Sequence, residues 1–325
     1  MADSAILRAG AEALIPPDYA PEVFQGAVAA SQVLTLGRRL PDMSEKQRRM
    51  PVLDVLPLAY FNNAGQDYSD TRFKKTSEQK WRNLFIDAEE LSVIIPIPEN
   101  VLEDTGRDVW AEVTPRIAEA FGAKIDAAVF HGTDAPNVWP DAIVPSAASA
   151  GNSFTLPPSG TDIYDALLGE DGVIAKLEED GYMANGHAAV MAMRGKLRGL
   201  RDQDGQPIFK NIGGMQEATN YQLDGEPIFF SRNGGLDPAL ALLIAGDWNE
   251  LLYAFRRDIT LKVLTEAIIQ DPSDGSIVYN LAQQDMVALR ATMRIGWNVA
   301  NPVNRLQATE ANRYPFSVLF PQGVS

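Results

Sequence analysis

Residues 287–299 alternate without a break: Val287, Leu289, Ala291, Met293, Ile295, Trp297 and Val299 share one parity, and Ala288, Arg290, Thr292, Arg294, Gly296 and Asn298 the other. Successive side chains of a strand point to opposite faces, so this period predicts one long strand with a single apolar face. Its thirteen residues would run ~43 Å at ~3.3 Å each, whereas most strands hold about 5 to 6 residues. Ile259, Leu261 and Val263, alternating with Thr260 and Lys262, predict its antiparallel neighbour, connected through the turn-forming stretch 271–276. A ribbon of two or three strands needs something over its apolar face before it holds in water.

The element long enough to cover it is 108–131, where Val109, Val113, Ile117, Phe121, Ile125 and Val129 recur every fourth residue beside Ala120 and Ala128. That is the spacing of an amphipathic helix of ~35 Å, stopped by Gly132. Pro115 predicts either a kink or a later start, with Thr114 as N-cap and Pro115 at the first helical position. A long helix on a long ribbon is unusual for a monomeric enzyme and natural for a unit that repeats in a lattice.

The first 50 residues are broken by Pro16, Pro17, Pro21 and Pro41 and read as an extended arm with a short helix at 20–30. From 51 to 98, strand-like limbs around Val52 and at 81–97 flank a polar middle. That middle carries Arg72, Lys74, Lys75, Lys80 and Arg82 against Asp67, Asp70 and Glu78, so it is locally basic. It reads either as a solvated hairpin or as one that reaches an acidic surface of another subunit. Residues 134–161 read as a loop or linker, 162–180 as a helix interrupted near 169–172, 188–193 as a short strand, and 196–202 as a polar helical turn. Leu223-Asp224-Gly225-Glu226-Pro227-Ile228 is a turn entering a strand, and 316–320 an apolar run suited to an edge strand.

At 325 residues the chain has room for about two domains. The absence of Cys removes disulfides, thiolate metal sites and cysteine nucleophiles, and His131 and His187 are the only histidines. With 28 Lys and Arg against 43 Asp and Glu the net charge is −15, opposite in sign to the footprint of a sequence-specific nucleic-acid binder. The longest apolar run, 239–245, is far short of the ~20 residues of a membrane span. No Gly-x-Ser-x-Gly elbow occurs, the Gly195-Lys196 pair lacks the rest of a phosphate loop, and 202–205 starts like a calcium loop without completing one. The acid runs Glu89-Glu90 and Glu178-Glu179-Asp180 read as solvated faces, His131 as a charged cap on the helix C-terminus and His187 as a turn residue. No catalytic, metal or cofactor site is expected.

Ala88-Glu89-Glu90-Leu91-Ser92-Val93-Ile94-Ile95-Pro96-Ile97-Pro98-Glu99-Asn100-Val101-Leu102-Glu103-Asp104, followed by a long helix ending Ala127-Ala128-Val129-Phe130-His131-Gly132, resembles the tailed-phage major capsid protein family of the Hong Kong ninety-seven type. Later segments agree in order: 185–209 with Asp202-Gln203-Asp204-Gly205-Gln206-Pro207, the Leu223 to Ile228 step, Ala245-Gly246-Asp247-Trp248, and 285–302. The resemblance covers roughly 85–302; each motif alone is weak, and five in the right order are specific.

The resemblance implies an α+β capsid fold: N-terminal arm 1–45, extended β-hairpin loop 46–90, peripheral domain 91–134 plus 242–302 with a spine helix on the β-ribbon, mixed α/β axial domain 135–241, and C-terminal tail 303–325. It implies a virion protein assembled in the bacterial host cytoplasm, self-assembling as hexamers and pentamers into an icosahedral shell around double-stranded DNA bound without sequence specificity. Portal, separate scaffolding and decoration proteins are the further implied partners, with no membrane. The separate scaffold is expected because the chain opens with Met1 only about 50 residues before the extended loop. Arg72, Lys74, Lys75, Lys80 and Arg82 are its candidate inter-subunit contacts. Some relatives join a loop Lys to a neighbour's Asn; Lys74 and Lys75 are candidate donors, but neither the Asn nor the assisting Glu matches by motif, so no covalent crosslink is expected. An encapsulin-like nanocompartment shell is the alternative on the same fold, and a hydrolase built on His131 or His187 the alternative from another class.

Overall fold

The computed structural model describes residues 31–59, 76–104, 109–157, 163–200, 222–271 and 273–323. The expected helix at 20–30, Arg72, Lys74, Lys75 and the 202–207 turn lie outside the described residues. In chain order come α1 (Gln32–Leu36), β1 (Arg38–Arg39), β2 (Gln47–Val55), β3 (Lys80–Asp87), β4 (Glu89–Pro98), α2 (Glu99–Asp104), α3 (Val109–His131) and α4 (Ile143–Ala150). There follow β5 (Ser153–Thr155), α5 (Ile163–Leu168), α6 (Val173–Glu179), β6 (Gly186–Val190), α7 (Met191–Gly199), β7 (Gln222–Leu223), β8 (Glu226–Ser231) and β9 (Leu243–Gly246). Last come β10 (Leu251–Leu264), β11 (Ile268–Gln270), β12 (Ile277–Asn280), β13 (Met286–Val299) and β14 (Phe316–Phe320).

β13 is the strand that the alternation predicts, and it runs 14 residues. It pairs antiparallel with β10 on one side, Val263 opposite Leu289, and with β4 on the other, Ile95 opposite Leu289. β1 adds a short parallel edge to β10, giving a four-stranded sheet in the order β1-β10-β13-β4. The connection from β10 to β13 is more than a turn, because β11 and β12 form a two-stranded ladder of their own.

The odd-numbered face of β13 and the Ile117, Phe121, Ile125 and Val129 face of α3 belong to one buried core. α3 starts at Val109 and runs through Pro115, so the later start at Thr114 does not occur. Pro115 lacks an amide donor, and Thr114 turns its hydroxyl back to the Trp110 carbonyl at 2.8 Å. The helix stops where expected: Gly132 is left-handed (φ 75°), its amide donates to Ala128, and the Thr133 amide reaches Ala127.

The second large sheet has six strands in the order β5-β14-β9-β6-β8-β7. Several expectations change here. Residues 134–161 are not merely loop, since they contain α4 and β5. The strand at 188–193 ends at Val190, and Met191 opens α7, which absorbs the polar helical turn begun at Lys196. β14 is an interior strand with all five residues buried, lying between β5 and β9, not an edge. The limb at 81–97 is two strands in different sheets, parted at Ala88. The break within 162–180 falls as read, between α5 and α6.

The core is continuous from the ribbon through α3 to β6, β9 and β14. Trp248 sits where the sheets meet, its ring 5.1 Å from Phe316 and 6.2 Å from Phe130, with the indole N–H donating to the Gly186 carbonyl. A smaller core lies on the opposite face of the ribbon, where Leu252 and Ala254 meet Val52, Leu84, Ile86, Leu40 and Met43. No described helix is long and apolar enough to cross a membrane.

Candidate functional site

β2 and β3 form an antiparallel hairpin, Met50 opposite Leu84 and Val52 opposite Arg82. Leu84 and Ile86 point into the smaller core while the alternate residues Trp81 and Phe85 stay 62% and 43% exposed. The hairpin is seated by a close crossing: a Cβ on Gly296 would lie 2.6 Å from the Asp87 carbonyl and 2.9 Å from Ile86 Cγ2. Asn298 Nδ2 donates to the Phe85 carbonyl at 2.7 Å, and Trp139 Nε1 to the Asp87 carbonyl at 3.0 Å. One face of the hairpin is therefore fixed to the body at its base, and the other presents aromatic surface to solvent.

Of the five candidate basic contacts, two are described. Lys80 is exposed and paired with exposed Glu78 at 2.8 Å. Arg82 shares the inward parity of Leu84 and turns toward its own chain, with Nη2 donating to the Asn301 carbonyl at 3.0 Å and pairing with Glu310 at 2.8 Å. Beside it, a cleft of about 430 Å³ is lined by Phe85, Val138, Trp139, Asp87, Asp141 and Glu310 among others, an aromatic wall with acidic rims.

Both histidines differ from expectation. His131 is not a charged cap: its Nε2 accepts the Asp237 amide at 3.0 Å, so that nitrogen is unprotonated, and burial lowers the ring's pKa against the opposing pull of Asp237. His187 is not in a turn. It lies fully buried in the middle of the six-stranded sheet, and burial drives its pKa down to about 4 although Nε2 meets the Leu223 carbonyl at 3.2 Å. The misleading signal was Asn185-Gly186, which is no hairpin turn; Asn185 instead donates to Asp247 Oδ1 and accepts the Trp248 amide. No group of three or more His, Asp or Glu placed to hold a metal occurs among the described residues.

Two buried polar anchors carried no sequence motif. Asp126, wholly buried on α3, accepts Ser31 Oγ at 2.6 Å, the Gln32 and Val33 amides at 2.9 and 3.0 Å, and Asn233 Nδ2 at 2.7 Å. It thereby pins the start of α1 to the long helix; burial raises its pKa and these donors oppose the rise. Arg313 is buried with Nε on Asn301 Oδ1 at 2.9 Å and Nη1 on the Gln307 carbonyl at 2.7 Å, and Tyr182 Oη joins Asn301 at 2.8 Å. That knot ties the segment after β13 to β14. Only its place next to Ile125, at the margin of the i+4 face of α3, hints at the first anchor. Glu250, at the junction of the sheets, has its pKa raised to about 7 by burial and by Asp247, against Arg38.

A long helix on a long ribbon, with a hairpin seated across the ribbon's outer face, is the frame that the comparisons meet. The chain is 26% identical over 306 residues to the major capsid protein of Staphylococcus phage 80alpha, covering 92% of this chain and 86% of that one. Among solved structures it is similar to one from Microbacterium phage Oxtober96 (34% identity, TM-score 0.75, 90% and 91% of the two chains). It is also similar to one from Mycobacterium phage Adephagia (29%, 0.75, 98% of each). The phage capsid family matches residues 11–306. With nearly its whole length inside that match, and a body of mixed helices and sheets that these structures share, the chain belongs to the phage capsid family, in the role of a major capsid protein.

Proposed function

We propose that copies of this chain join as hexamers and pentamers into an icosahedral shell around double-stranded DNA, with the Hong Kong ninety-seven layout. In this reading 1–45 is an arm, 46–90 the extended loop, α3 the spine helix, and 91–134 with 242–302 the peripheral unit. The axial unit is 135–241, and pairing of β9 and β14 in the six-stranded sheet argues for adding both to it. Arg72, Lys74, Lys75, Lys80 and Arg82 would meet an acidic neighbour, with Arg82 also bracing its own loop through Asn301 and Glu310. A portal, a scaffold and decoration proteins complete the assembly in the host cytoplasm.

The hairpin carries this reading. An isolated two-stranded hairpin is marginal in water; here one face is seated on the body, while Trp81 is 62% exposed and Phe85, at the rim of the cleft, 43%. A neighbouring subunit would supply the missing cover. Electron microscopy of the recombinant chain, alone and co-expressed with its genomic neighbours, tests it: closed shells or free hexamers and pentamers are expected. A uniform monomer under every condition, or shells filled with an enzyme cargo, would overturn it.

A further inference from the structure

The outer face of the ribbon, opposite α3, is covered at one end and bare at the other. β3 crosses it at Gly296 and Asn298. Beyond that crossing, Arg257 and Lys262 on β10 and Arg290 and Arg294 on β13 share the open face with Thr260, Thr292, Ser92 and Ile94. Two rungs of the ladder are like-charged, Lys262 directly opposite Arg290 and Arg257 opposite Arg294. Directly opposed like charges weaken a sheet. Among the paired positions of this face Glu90, opposite Arg294, is the one acid. No ion pair reaches any of the four cations among the described residues, and the Nε atoms of Arg290 and Arg294 are buried with no acceptor. Four cations thus share this face with one paired acid, an excess that favours an anionic partner from outside.

The chain carries a matching surface. Glu170 and Asp171 at the α5–α6 corner, and Glu178 and Glu179 at the far end of α6, are exposed, and no ion pair neutralises them among the described residues. We propose that the bare half of the ribbon face docks on the acidic flank of α6, from Glu170 to Glu179, of a second copy of this chain. Every copy then offers one patch and receives the other, a heterologous contact that generates closed rings when its rotation closes. At −15 per chain, copies repel except where opposite patches meet, so such a contact selects orientation as well as supplying attraction. A phosphate backbone would also satisfy the guanidinium groups, but it leaves the α5–α6 acids unneutralised. The inference rests on the reading that copies of this chain assemble.

The test compares wild type with Arg290→Glu/Arg294→Glu, with Glu178→Lys/Glu179→Lys, and with all four changes together, scoring assembly by sedimentation and electron microscopy and folding by thermal melting. The ribbon reversal replaces two like-charged rungs, with Lys262 and Arg257, by opposite charges and creates one like-charged rung, with Glu90, so the fold is expected to survive it. Each pair alone should cut the assembled fraction about tenfold or more, and the fourfold variant should recover most of the loss. Arg290→Gln/Arg294→Gln, which adds no repulsion, should give a smaller loss in the same direction. Wild-type assembly by the ribbon variant, or no recovery in the fourfold variant, would overturn the contact. So would a ribbon variant that assembles normally and loses only its retention of double-stranded DNA, which would make phosphate the occupant. Failure of wild type itself to form particles would instead remove the shell reading beneath it.

Discussion

β13 and β14 are both core strands, yet they are buried in different ways. All five residues of β14 are buried, because the strand lies inside the six-stranded sheet with α4 and α6 packed beside it. In β13 the odd positions 287–299 are buried on α3, while Arg290, Thr292, Arg294 and Asn298 are only half-buried on the other face. A strand covered on both faces reads in sequence as a continuous apolar run, and one covered on a single face reads as alternation. The alternating strand announces its length and its facing; the apolar run announces burial and withholds its place in the sheet.

Three measurements sharpen or break this contrast. Phe316→Ala should be the costliest, because its ring is wholly buried against Trp248 and Tyr314. A loss of about 3 to 5 kcal/mol in denaturant unfolding is expected, and less than about 1 kcal/mol would mean that β14 docks loosely. The next tests the same sheet through pH. The unfolded imidazole of His187 titrates near 6.5 and the folded one near about 4, so the unfolded chain takes up the proton first as pH falls. Its contribution is complete above pH ~6.5 and is lost by about 3 kcal/mol on descending to pH ~4. Thermal melting across that window should show a steeper decline for wild type than for His187→Gln, and parallel curves would refute the assignment. The smallest effect belongs to the open ribbon face. Thr292→Ala removes a hydroxyl 2.9 Å from Thr260 Oγ1 at an exposed rung, and a change within about 0.5 kcal/mol is expected. A loss above about 1 kcal/mol in the isolated chain would show that the face is already covered.

Much of the ribbon side is legible in the amino-acid sequence. The alternation places β13, Ile259, Leu261 and Val263 place β10, the i+4 spacing places α3, and Gly132 places its end. The limbs of the hairpin are visible too, but not that its second limb divides at Ala88 between two sheets. Within the candidate contact set the sequence identifies charge without direction: Lys80 and Arg82 look alike in the chain, and only the parity that Arg82 shares with Leu84 and Ile86 turns it inward. The run Glu178-Glu179-Asp180 reads as a solvated face, which holds for the two glutamates, but Asp180 is buried and accepts Asn152 Nδ2 and the Tyr314 amide, partners far off in the chain.

Local periodicity, turn residues and charge totals thus determined the long ribbon, the long helix, the limbs of the hairpin and the exclusion of cysteine and thiolate chemistry, because each depends on residues close in sequence. The tertiary structure alone decided that β14 pairs with β5 and β9, that Asp126 gathers Ser31, Gln32, Val33 and Asn233, and that His187 is buried neutral. Those partners lie tens to more than a hundred residues away along the chain. Burial, which sets both the cost of a charge and the worth of a hydrogen bond, exists only once such distant segments have met.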